Sequence, residues 1–321
     1  MTPAISVIVP VYNRPHLVVR SLDSIFNQAE SLSVDMQIVV VDNASTDATP
    51  EVLREWQARH IHKSIDIVIA SEPRKGASRA RKTGASIATA PIICFFDSDD
   101  IMPSGTLKAY LDAFANNPDA DIVAATARIV ATNGTYRSLL HRGGDDLINH
   151  LHHCTLRSAS YAVKRDYYDS CGGWNPRVGI WDDWELGMRL LLRSPKMVKI
   201  QHCAVDIYPN EESITGPCYS SRPYSAYDIA LSAAEEAIYK SNHRQSRRLL
   251  KLLLYRRMML SGLFAKEDDY VGSREIETDV LRRIAELSRR PKALAMLLRF
   301  SRFWTACGLR GAASIVTPLI R

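Results

Sequence analysis

The sequence predicts an α/β fold with two parts: a Rossmann-like, mostly parallel sheet flanked by helices, and a C-terminal helical subdomain. In the first hundred residues, short apolar runs alternate about four times with helical patterns, which is typical of a parallel sheet with helices on both faces. After Pro223 the sequence changes to Leu- and Arg-rich segments with amphipathic helical spacing. We therefore expect an α/β domain over residues 1–220 and a helical region over residues 221–321.

The charge is distributed unevenly along the 321 residues, whose net charge is +6. Residues 221–321 hold 19 Lys and Arg against 10 Asp and Glu, whereas residues 1–220 hold 22 against 25. A basic region beside a near-neutral body favours an anionic surface as its neighbour. Because no recognisable nucleic-acid-reading module accompanies it, we expect no nucleic-acid partner.

The ends and the cysteines indicate a reducing compartment. The chain enters an apolar run at Ala4 with no basic leader, and no stretch reaches the roughly 18 apolar residues that span a bilayer. The six cysteines show no CxxC pair, so free buried thiols are the simplest interpretation. We expect a cytoplasmic protein that associates with the inner face of the cell membrane.

Four strands are expected in the first hundred residues. The first is broken at Pro10, after which Pro15 is suited to the first turn of a helix that ends near Gln28. The apolar runs that predict the strands span residues 5–9, 37–41, 65–70 and 91–96.

Three of these strands end in polar sequence: Tyr12-Asn13-Arg14, Asp42, and Asp97-Ser98-Asp99-Asp100. Because parallel strands place their carboxyl ends along one edge, these side chains are expected in a common crevice. Clustered carboxylates suit Mg²⁺ or Mn²⁺, although Asp is also typical of turns and helix caps. A glycine-rich dinucleotide fingerprint and a P-loop are both absent.

The middle of the chain contains further strands and an irregular segment. Strands are predicted over 121–130, 158–163, 198–200 and 204–208. Residues 137–153 are polar and irregular, which favours a mobile loop over a substrate-binding site. A zinc site at His150, His152, His153 and Cys154 is the weaker alternative, because no second ligand pair has tetrahedral-site spacing.

Several motifs follow one another in a recognisable order. They are Val7-Ile8-Val9-Pro10-Val11-Tyr12-Asn13, Val41-Asp42-Asn43-Ala44-Ser45-Thr46-Asp47, Gly76-x-x-x-Ala80-Arg81 and Phe96-Asp97-Ser98-Asp99-Asp100. Their order resembles that of family 2 glycosyltransferases with the GT-A fold, and the resemblance covers about the first 220 residues.

The resemblance implies roles for individual residues. Asp42 would bind the uracil of a UDP-sugar in a base pocket lined by Pro10 and Tyr12. Arg81 would act on the donor side, Asp97 would hold the ribose or donor sugar, and Asp99 would ligate Mg²⁺ or Mn²⁺ at the diphosphate. The donor site is also assigned Asn13, Arg14 and Ser98, which share the predicted crevice. Lys82 departs from the family, which often has Asn after the Arg.

A second motif suggests the catalytic base. A helix is predicted from near Trp181, and Asp182-Asp183-Trp184-Glu185-Leu186 resembles the family's ED motif, with Asp183 at the position of the base. A helix N-terminus favours an ionised carboxylate, which a proton acceptor requires. Carboxylates in a first helical turn are also common as simple caps. Farther on, residues 208–215 resemble the segment that closes over the diphosphate, with Asn210 where many relatives have His.

We therefore expect an inverting, metal-dependent glycosyltransferase that uses a nucleotide sugar, UDP-linked, and a saccharide or lipid-linked acceptor. A catalytically silent nucleotide-binding scaffold is the alternative, whereas a sugar-nucleotide pyrophosphorylase would need a glycine-rich N-terminal loop. The C-terminal helices either pack on the core or contact an anionic membrane surface. The residues proposed for that contact are Leu294, Leu297, Leu298, Phe300, Phe303 and Trp304, amid Arg299 and Arg302.

Overall fold

A computed structural model describes residues 3–30, 32, 34–209 and 218–320. These residues form eight strands: β1 (Ile5–Val11), β2 (Met36–Asp42), β3 (Ile65–Ser71), β4 (Ile92–Phe95), β5 (Ile122–Val130), β6 (Tyr136–Leu139), β7 (Tyr161–Lys164) and β8 (Met197–Ile207). They also form twelve α-helices: α1 (Val18–Glu30), α2 (Thr49–Arg59), α3 (Ala77–Ile87), α4 (Thr106–Asn116), α5 (Asp146–His153), α6 (Arg165–Ser170), α7 (Asp182–Leu192), α8 (Tyr224–Lys240), α9 (Ser246–Lys266), α10 (Tyr270–Leu287), α11 (Pro291–Ala306) and α12 (Ala312–Leu319).

The chain forms two compact units, each assembled from separate segments. The first comprises Met1–Gly143, Leu156–Gly179 and Ser194–Pro209. The second comprises Gly144–Thr155, Ile180–Arg193 and Asn210–Arg321. Two middle segments thus belong with the C-terminal helices, and a boundary between functional domains at residue 220 stays a prediction.

All eight strands belong to one sheet in the first unit. Its order is β3-β2-β1-β4-β7-β5-β6, and β8 also pairs with β5. The pairs β1–β2, β2–β3, β1–β4 and β5–β8 are parallel, whereas β7 is antiparallel to β4 and β5, and β6 to β5. The α/β prediction is confirmed.

The first unit is built around strands that are covered on both faces. Every residue of β1 and β2 is buried, as expected for apolar runs in a parallel sheet. The polar Ser6 side chain is paired within this core, because its hydroxyl donates to Gln37 Oε1 at 2.8 Å. In register, Val11 lies opposite Asp42, which lies opposite Ser71, so three strands end together.

Four expected boundaries were wrong. The first strand, which was expected to be broken at Pro10, continues through Pro10 to Val11. The first helix begins at Val18, after a turn in which Leu17 N and Val18 N both donate to Arg14 O. Residues 158–160 form a 3-10 turn, and only 161–164 pair as a strand. Residues 198–208 contain one long strand, not two, because β8 follows β5 through two shifts of register.

The irregular loop expected over residues 137–153 was also wrong. Here β6 pairs antiparallel with β5, and α5 follows. The Asp145 carboxylate caps α5 by accepting from Ile148 N at 3.1 Å, and Leu147 and Leu151 share its buried face. No group of three or more His, Cys, Asp or Glu side chains in the described chain is arranged to hold a metal.

The second unit confirms the C-terminal helical prediction with α8 to α12. Its centre contains a buried charge network in which the Arg257 guanidinium contacts Asp228, donates to the Tyr224 hydroxyl at 2.7 Å and lies 3.3 Å from Glu235. This network joins α8 to α9. Within the ranges described, none of the helices is both long and apolar enough to cross a membrane.

Candidate active site

The carboxyl end of β2 presents a buried carboxylate with an unsatisfied oxygen. Asp42 is 9% exposed, and its Oδ1 has no hydrogen-bond partner among the described residues. Its backbone carbonyl is satisfied, accepting from Glu72 N at 2.8 Å. Buried polar atoms are nearly always paired, so this oxygen indicates a place for a ligand's donor.

Next to Asp42, an ordered loop places a lysine on Tyr12. The Asn43 amide donates to Glu72 O and Arg74 O, and Asn43 Oδ1 accepts from Gly76 N at 2.7 Å. The loop thereby presents Lys75, whose ammonium donates to the Tyr12 hydroxyl at 2.8 Å and lies 4.9 Å from the ring centroid.

The remaining residues predicted near β1 have different positions. Pro10 is buried within β1, opposite Val41. Asn13 joins the loop after β1 to the loop after β2: its amide donates to Thr46 Oγ1 at 3.2 Å, and its Oδ1 accepts from Thr46 N at 2.8 Å. Asn13 has a φ of 49°, a conformation that Asn tolerates better than most residues. Its observed contacts fix the loop.

At the end of β4, Asp97 receives two donors from distant parts of the chain. Arg81 Nη2 donates to Asp97 Oδ1 at 2.6 Å, and the Ser158 hydroxyl donates to Oδ2 at 3.1 Å. The Arg81 guanidinium carbon also lies 4.7 Å from the Trp174 ring centroid. These contacts hold the carboxylate and the guanidinium in a fixed relative orientation.

The position of Arg81 depends on a close approach of α3 to the sheet. A Cβ on Gly84 would lie 2.4 Å from Ile8 Cγ2 and 3.1 Å from Val41 Cγ2. Residues three apart share a helix face, so the glycine that lets α3 lie on β1 and β2 also directs Arg81 toward the strand ends.

Asp99 is held by arginines from the chain after β1. Arg14 Nη1 forms an ion pair with Asp99 Oδ2, and Arg20 Nη2 donates to the Asp99 carbonyl at 3.1 Å. Arg14 is itself anchored, because its backbone N–H donates to Thr49 Oγ1 at 2.9 Å. Between the two carboxylates, Ser98 is buried.

The Asp100 carboxyl is held largely protonated at neutral pH. Burial and the charges of Asp97 and Asp99 raise the pKa of Asp100 to about 8. Its Oδ1 accepts from Tyr208 N at 3.0 Å. Because burial and the neighbouring carboxylates disfavour a further negative charge here, a cation bound nearby would favour the ionised form of Asp100.

The cluster fits a hard divalent cation that a substrate helps to hold. Its donors are all carboxylate oxygens, the ligand type that Mg²⁺ and Mn²⁺ prefer. Mg²⁺ is usually held by one or two carboxylates together with substrate phosphates, so a site here does not require three protein ligands.

Asp183 lies in the second unit, in the first turn of α7. Its Oδ1 accepts from Trp184 N at 2.7 Å, and its own N–H lies 3.0 Å from Asp182 Oδ1. The preceding Trp181 adopts a left-handed conformation with φ of 59°. Of the predicted site residues, the structure brings Arg14, Arg81, Asp97 and Asp99 into direct contact pairs within the first unit.

Sequence reasoning did not identify four side chains that shape this region: Lys75, Ser158 and Trp174, which contact predicted residues, and Asp100 as a protonated acid. Asp100 had a signal, since a third acid beside Asp97 and Asp99 must raise some pKa. Residues 210–215 of the predicted diphosphate-closing segment lie outside the described residues.

Comparison with solved structures shows the same fold. S. aureus TarS 1–349 in complex with UDP-GlcNAc matches 97% of this chain and 90% of that chain, with a TM-score of 0.72 and 18% identity. The mannosyltransferase PcManGT from Pyrobaculum calidifontis, in complex with GDP-Man and Mn²⁺, matches 99% of this chain and 87% of that chain, with a TM-score of 0.53 and 20% identity.

Curated relatives match over shorter segments. Validoxylamine A glucosyltransferase from Streptomyces hygroscopicus subsp. jinggangensis is 32% identical over 121 residues, which is 38% of this chain and 28% of the relative. Poly(ribitol-phosphate) beta-glucosyltransferase from Bacillus spizizenii is 27% identical over 143 residues, 44% of this chain and 22% of the relative. The matches thus span about a quarter of these relatives' length.

A family model for glycosyl transferase family 2 matches residues 6–181, more than half of the chain and the part that carries every predicted donor-site residue. Together with the GT-A-like fold, this match shows that the chain belongs to glycosyl transferase family 2.

Proposed function

We propose that this chain is an inverting, metal-dependent glycosyltransferase that transfers a sugar from a UDP-sugar to a hydroxyl of a saccharide or lipid-linked acceptor. The observation that carries the proposal is the buried Asp42 Oδ1, which has no hydrogen-bond partner in the part of the chain that the structure describes. Leaving such an acceptor unsatisfied costs about 1–3 kcal/mol. The imide N–H of a uracil would satisfy it, beside the Tyr12 ring that Lys75 holds.

The cluster at the end of β4 suits the other half of the donor. Asp97 is positioned to accept from ribose or sugar hydroxyls, with its orientation set by Arg81 and Ser158. Arg14 and Arg81 supply positive charge toward a diphosphate. Asp99, with Asp97 beside it, would hold Mg²⁺ or Mn²⁺, which when bound stabilises negative charge on the leaving diphosphate.

Asp183 is the proposed general base. The acceptor hydroxyl transfers its proton to the Asp183 carboxylate while its oxygen bonds to the anomeric carbon. The bond from that carbon to the diphosphate oxygen breaks, and its electron pair leaves with UDP. Attack opposite the leaving group inverts the anomeric centre. A base of this kind contributes about 10²–10⁴-fold.

The acceptor class is supported by what related proteins are named for. Relatives include a poly(ribitol-phosphate) glucosyltransferase and a chondroitin synthase from Escherichia coli. These names favour polysaccharide biosynthesis and a saccharide polymer or its lipid-linked precursor as the acceptor.

An anionic membrane surface is the proposed second partner, which would place the protein at the cytoplasmic face of a membrane. On α11, Met296, Phe300 and Phe303 are exposed at helical spacing, whereas Leu294 and Leu298 are buried. The exposed apolar side chains are accompanied by the basic Lys292 and Arg299, the combination that lies in lipid headgroup regions.

The test is release of UDP from a panel of UDP- and GDP-sugars, with and without Mn²⁺. We expect UDP release from one or a few UDP-sugars, dependent on the metal, and loss of turnover without loss of UDP binding in Asp183→Asn. Nucleotide binding with no turnover of any donor would instead favour the catalytically silent scaffold.

A further inference from the structure

The guanidinium of Arg256, on α9 of the helical region, sits between two indole rings beside Asp183. Its central carbon lies 4.2 Å from the Trp181 ring centroid and 4.5 Å from that of Trp184. These tryptophans flank the two acidic residues that begin α7. A cation over two aromatic faces is a stabilising arrangement, so Arg256 directly supports both ends of this turn.

The same guanidinium joins α9 to the end of α5. Arg256 Nη1 donates to the carbonyls of Leu151 at 2.6 Å and His152 at 3.3 Å. Both belong to the last turn of α5, where carbonyls carry partial negative charge. Three helices therefore meet at one side chain.

The turn that Arg256 supports has a strained backbone. Trp181 is left-handed at φ 59°, a conformation that a bulky side chain adopts only when its surroundings impose it. The other ring contacts of Trp181 are with Tyr227 on α8, at 5.0 Å between centroids, and with Trp184 at 5.8 Å. Packing by α8 and α9 thus holds the conformation that starts α7 at Asp182.

Among the described residues, Arg256 forms no short-range ion pair with a carboxylate. Burial lowers the pKa of Arg256 to about 10, against the opposing effects of Cys154, Tyr219 and Asp183. Asp183 is the one carboxylate in that set. His152, whose carbonyl accepts from Arg256, does not titrate near neutrality. Burial and the charges of His153 and Arg256 lower the pKa of His152 to about 3.

We propose that Arg256 is a positioning residue for Asp183: it fixes the turn formed by Trp181, Asp182 and Asp183, and its charge favours the ionised carboxylate. The proposal rests on the proposed role of Asp183 as the base. It assigns part of the catalytic arrangement to the C-terminal helical region, through a residue that acts by way of Asp183.

The test compares Arg256→Met, which removes the charge, with Arg256→Lys, which keeps it. For Arg256→Met we expect UDP affinity within twofold of the unsubstituted protein and a fall in kcat of roughly ten- to a hundredfold, less than the full 10²–10⁴-fold contribution of a general base because Asp183 itself remains. The acid limb of the kcat–pH profile should move to higher pH, because the base loses a nearby positive charge. Arg256→Lys should have a lower kcat, but the acid limb of its kcat–pH profile should stay at the pH of the unsubstituted protein.

The matched control is Arg247→Met on the same helix, where Arg247 donates to the Leu287 carbonyl and contacts neither tryptophan. A second control, His153→Gln, removes the exposed imidazole on α5. The acid limb of its kcat–pH profile should match that of the unsubstituted protein, which would show that the limb does not report titration of His153. Thermal melting of each variant is measured so that rates are compared well below unfolding.

An unshifted pH limb in Arg256→Met would overturn the proposal, whether kcat falls or not. If Arg256→Met does not fold, Arg256→Lys alone decides: unchanged kcat in that variant overturns the proposal, and reduced kcat with the limb kept supports it. Asp183→Asn separates the two proposals. Full turnover in Asp183→Asn would show that Asp183 is not the base, and both proposals would fail. An inactive Asp183→Asn together with an Arg256→Met variant of unchanged kcat and pH profile would contradict only the role of Arg256.

Discussion

At the scale of single residues, the proposed donor region contains two carboxyl groups that the free protein stabilises poorly, for different reasons. Asp42 has an oxygen that lacks a donor, whereas Asp100 lies where burial and two neighbouring charges disfavour its ionised form. Both arrangements cost stability in the free protein, and both would be relieved by parts of a nucleotide–metal complex. Substituting either residue should therefore weaken the binding of a nucleotide or metal while it maintains or increases the stability of the free protein.

Asp42→Ala should weaken UDP binding without destabilising the protein. A hydrogen bond to a charged group is worth about 1.5–3 kcal/mol, so we expect roughly 10- to 150-fold weaker UDP binding by calorimetry. The melting temperature should stay equal or rise, because a buried unsatisfied acceptor is removed. Asp112→Ala, at an exposed position of α4, is the control. Unchanged UDP affinity in Asp42→Ala would contradict the assignment.

Asp100 should make stability depend on pH. Its pKa is about 8 in the folded protein and about 3.9 in an unfolded chain. The stability linked to this group is therefore complete below about pH 4 and is lost as pH rises toward 8. With a chelator present, the melting temperature of Asp100→Asn relative to the unsubstituted protein should increase from pH 5 to pH 8. If the difference in melting temperature between Asp100→Asn and the unsubstituted protein stays constant from pH 5 to pH 8, the pKa of Asp100 is not raised. Added Mn²⁺ should make the difference at pH 8 smaller.

At the scale of elements, α7 is set in place by the close packing of α5. The His150 ring is wholly buried, and its Nε2 lies 2.9 Å from the Trp184 carbonyl. A Cβ on Gly187 would lie 2.2 Å from His150 Cε1. His150 therefore packs α5 against α7, a role that explains its burial without any metal.

Gly187→Ala should destabilise the second unit. Alanine is favoured over glycine in a helix by about 1 kcal/mol, but overpacking costs about 1–3 kcal/mol, and the buried His150 ring has nowhere to move. We expect a net loss in the free energy of unfolding, measured with denaturant. Gly179→Ala, where an added Cβ would meet nothing within 4 Å, should have little effect. Equal stability of the two variants would contradict the packing argument.

The places of Asp42 and Asp97 at strand ends could be predicted because the signal is local. Each of the two follows an apolar run directly, and Asp99 comes two residues after Asp97. Their roles in binding a donor stay predictions. The pairing of Arg14 with Asp99 joins residues 85 apart, and that of Ser158 with Asp97 joins residues 61 apart. Such contacts depend on the whole sheet. The helix α5 was missed because histidines and glycines around it obscured its Asp145 cap and its Leu147–Leu151 spacing.

At the scale of the whole molecule, the basic charge and the exposed apolar side chains occur in the same C-terminal region. Residues 221–321 carry nine more basic than acidic residues, and Met296, Phe300 and Phe303 are exposed within it. Each basic residue close to an anionic leaflet contributes about 1 kcal/mol, and apolar insertion adds to it.

Binding to vesicles tests this region. The protein should co-sediment with vesicles that contain anionic lipid, bind less at higher salt, and bind weakly to neutral vesicles. Phe303→Ser should reduce binding, whereas Ile61→Ser, at a position 87% exposed in the first unit, should not. Failure to bind anionic vesicles at low salt would count against a membrane partner.

The distribution of the second unit over three segments has a consequence for biosynthesis. Asp183 leaves the ribosome more than sixty residues before Arg256. The packing of α5 and α7 is therefore complete only after α9 has been synthesised. All strands of the sheet, in contrast, are synthesised by residue 207. We therefore expect a nascent chain to acquire the proposed nucleotide binding first and the proposed transfer activity only when α9 has emerged, which would keep a partly synthesised chain from consuming activated sugar.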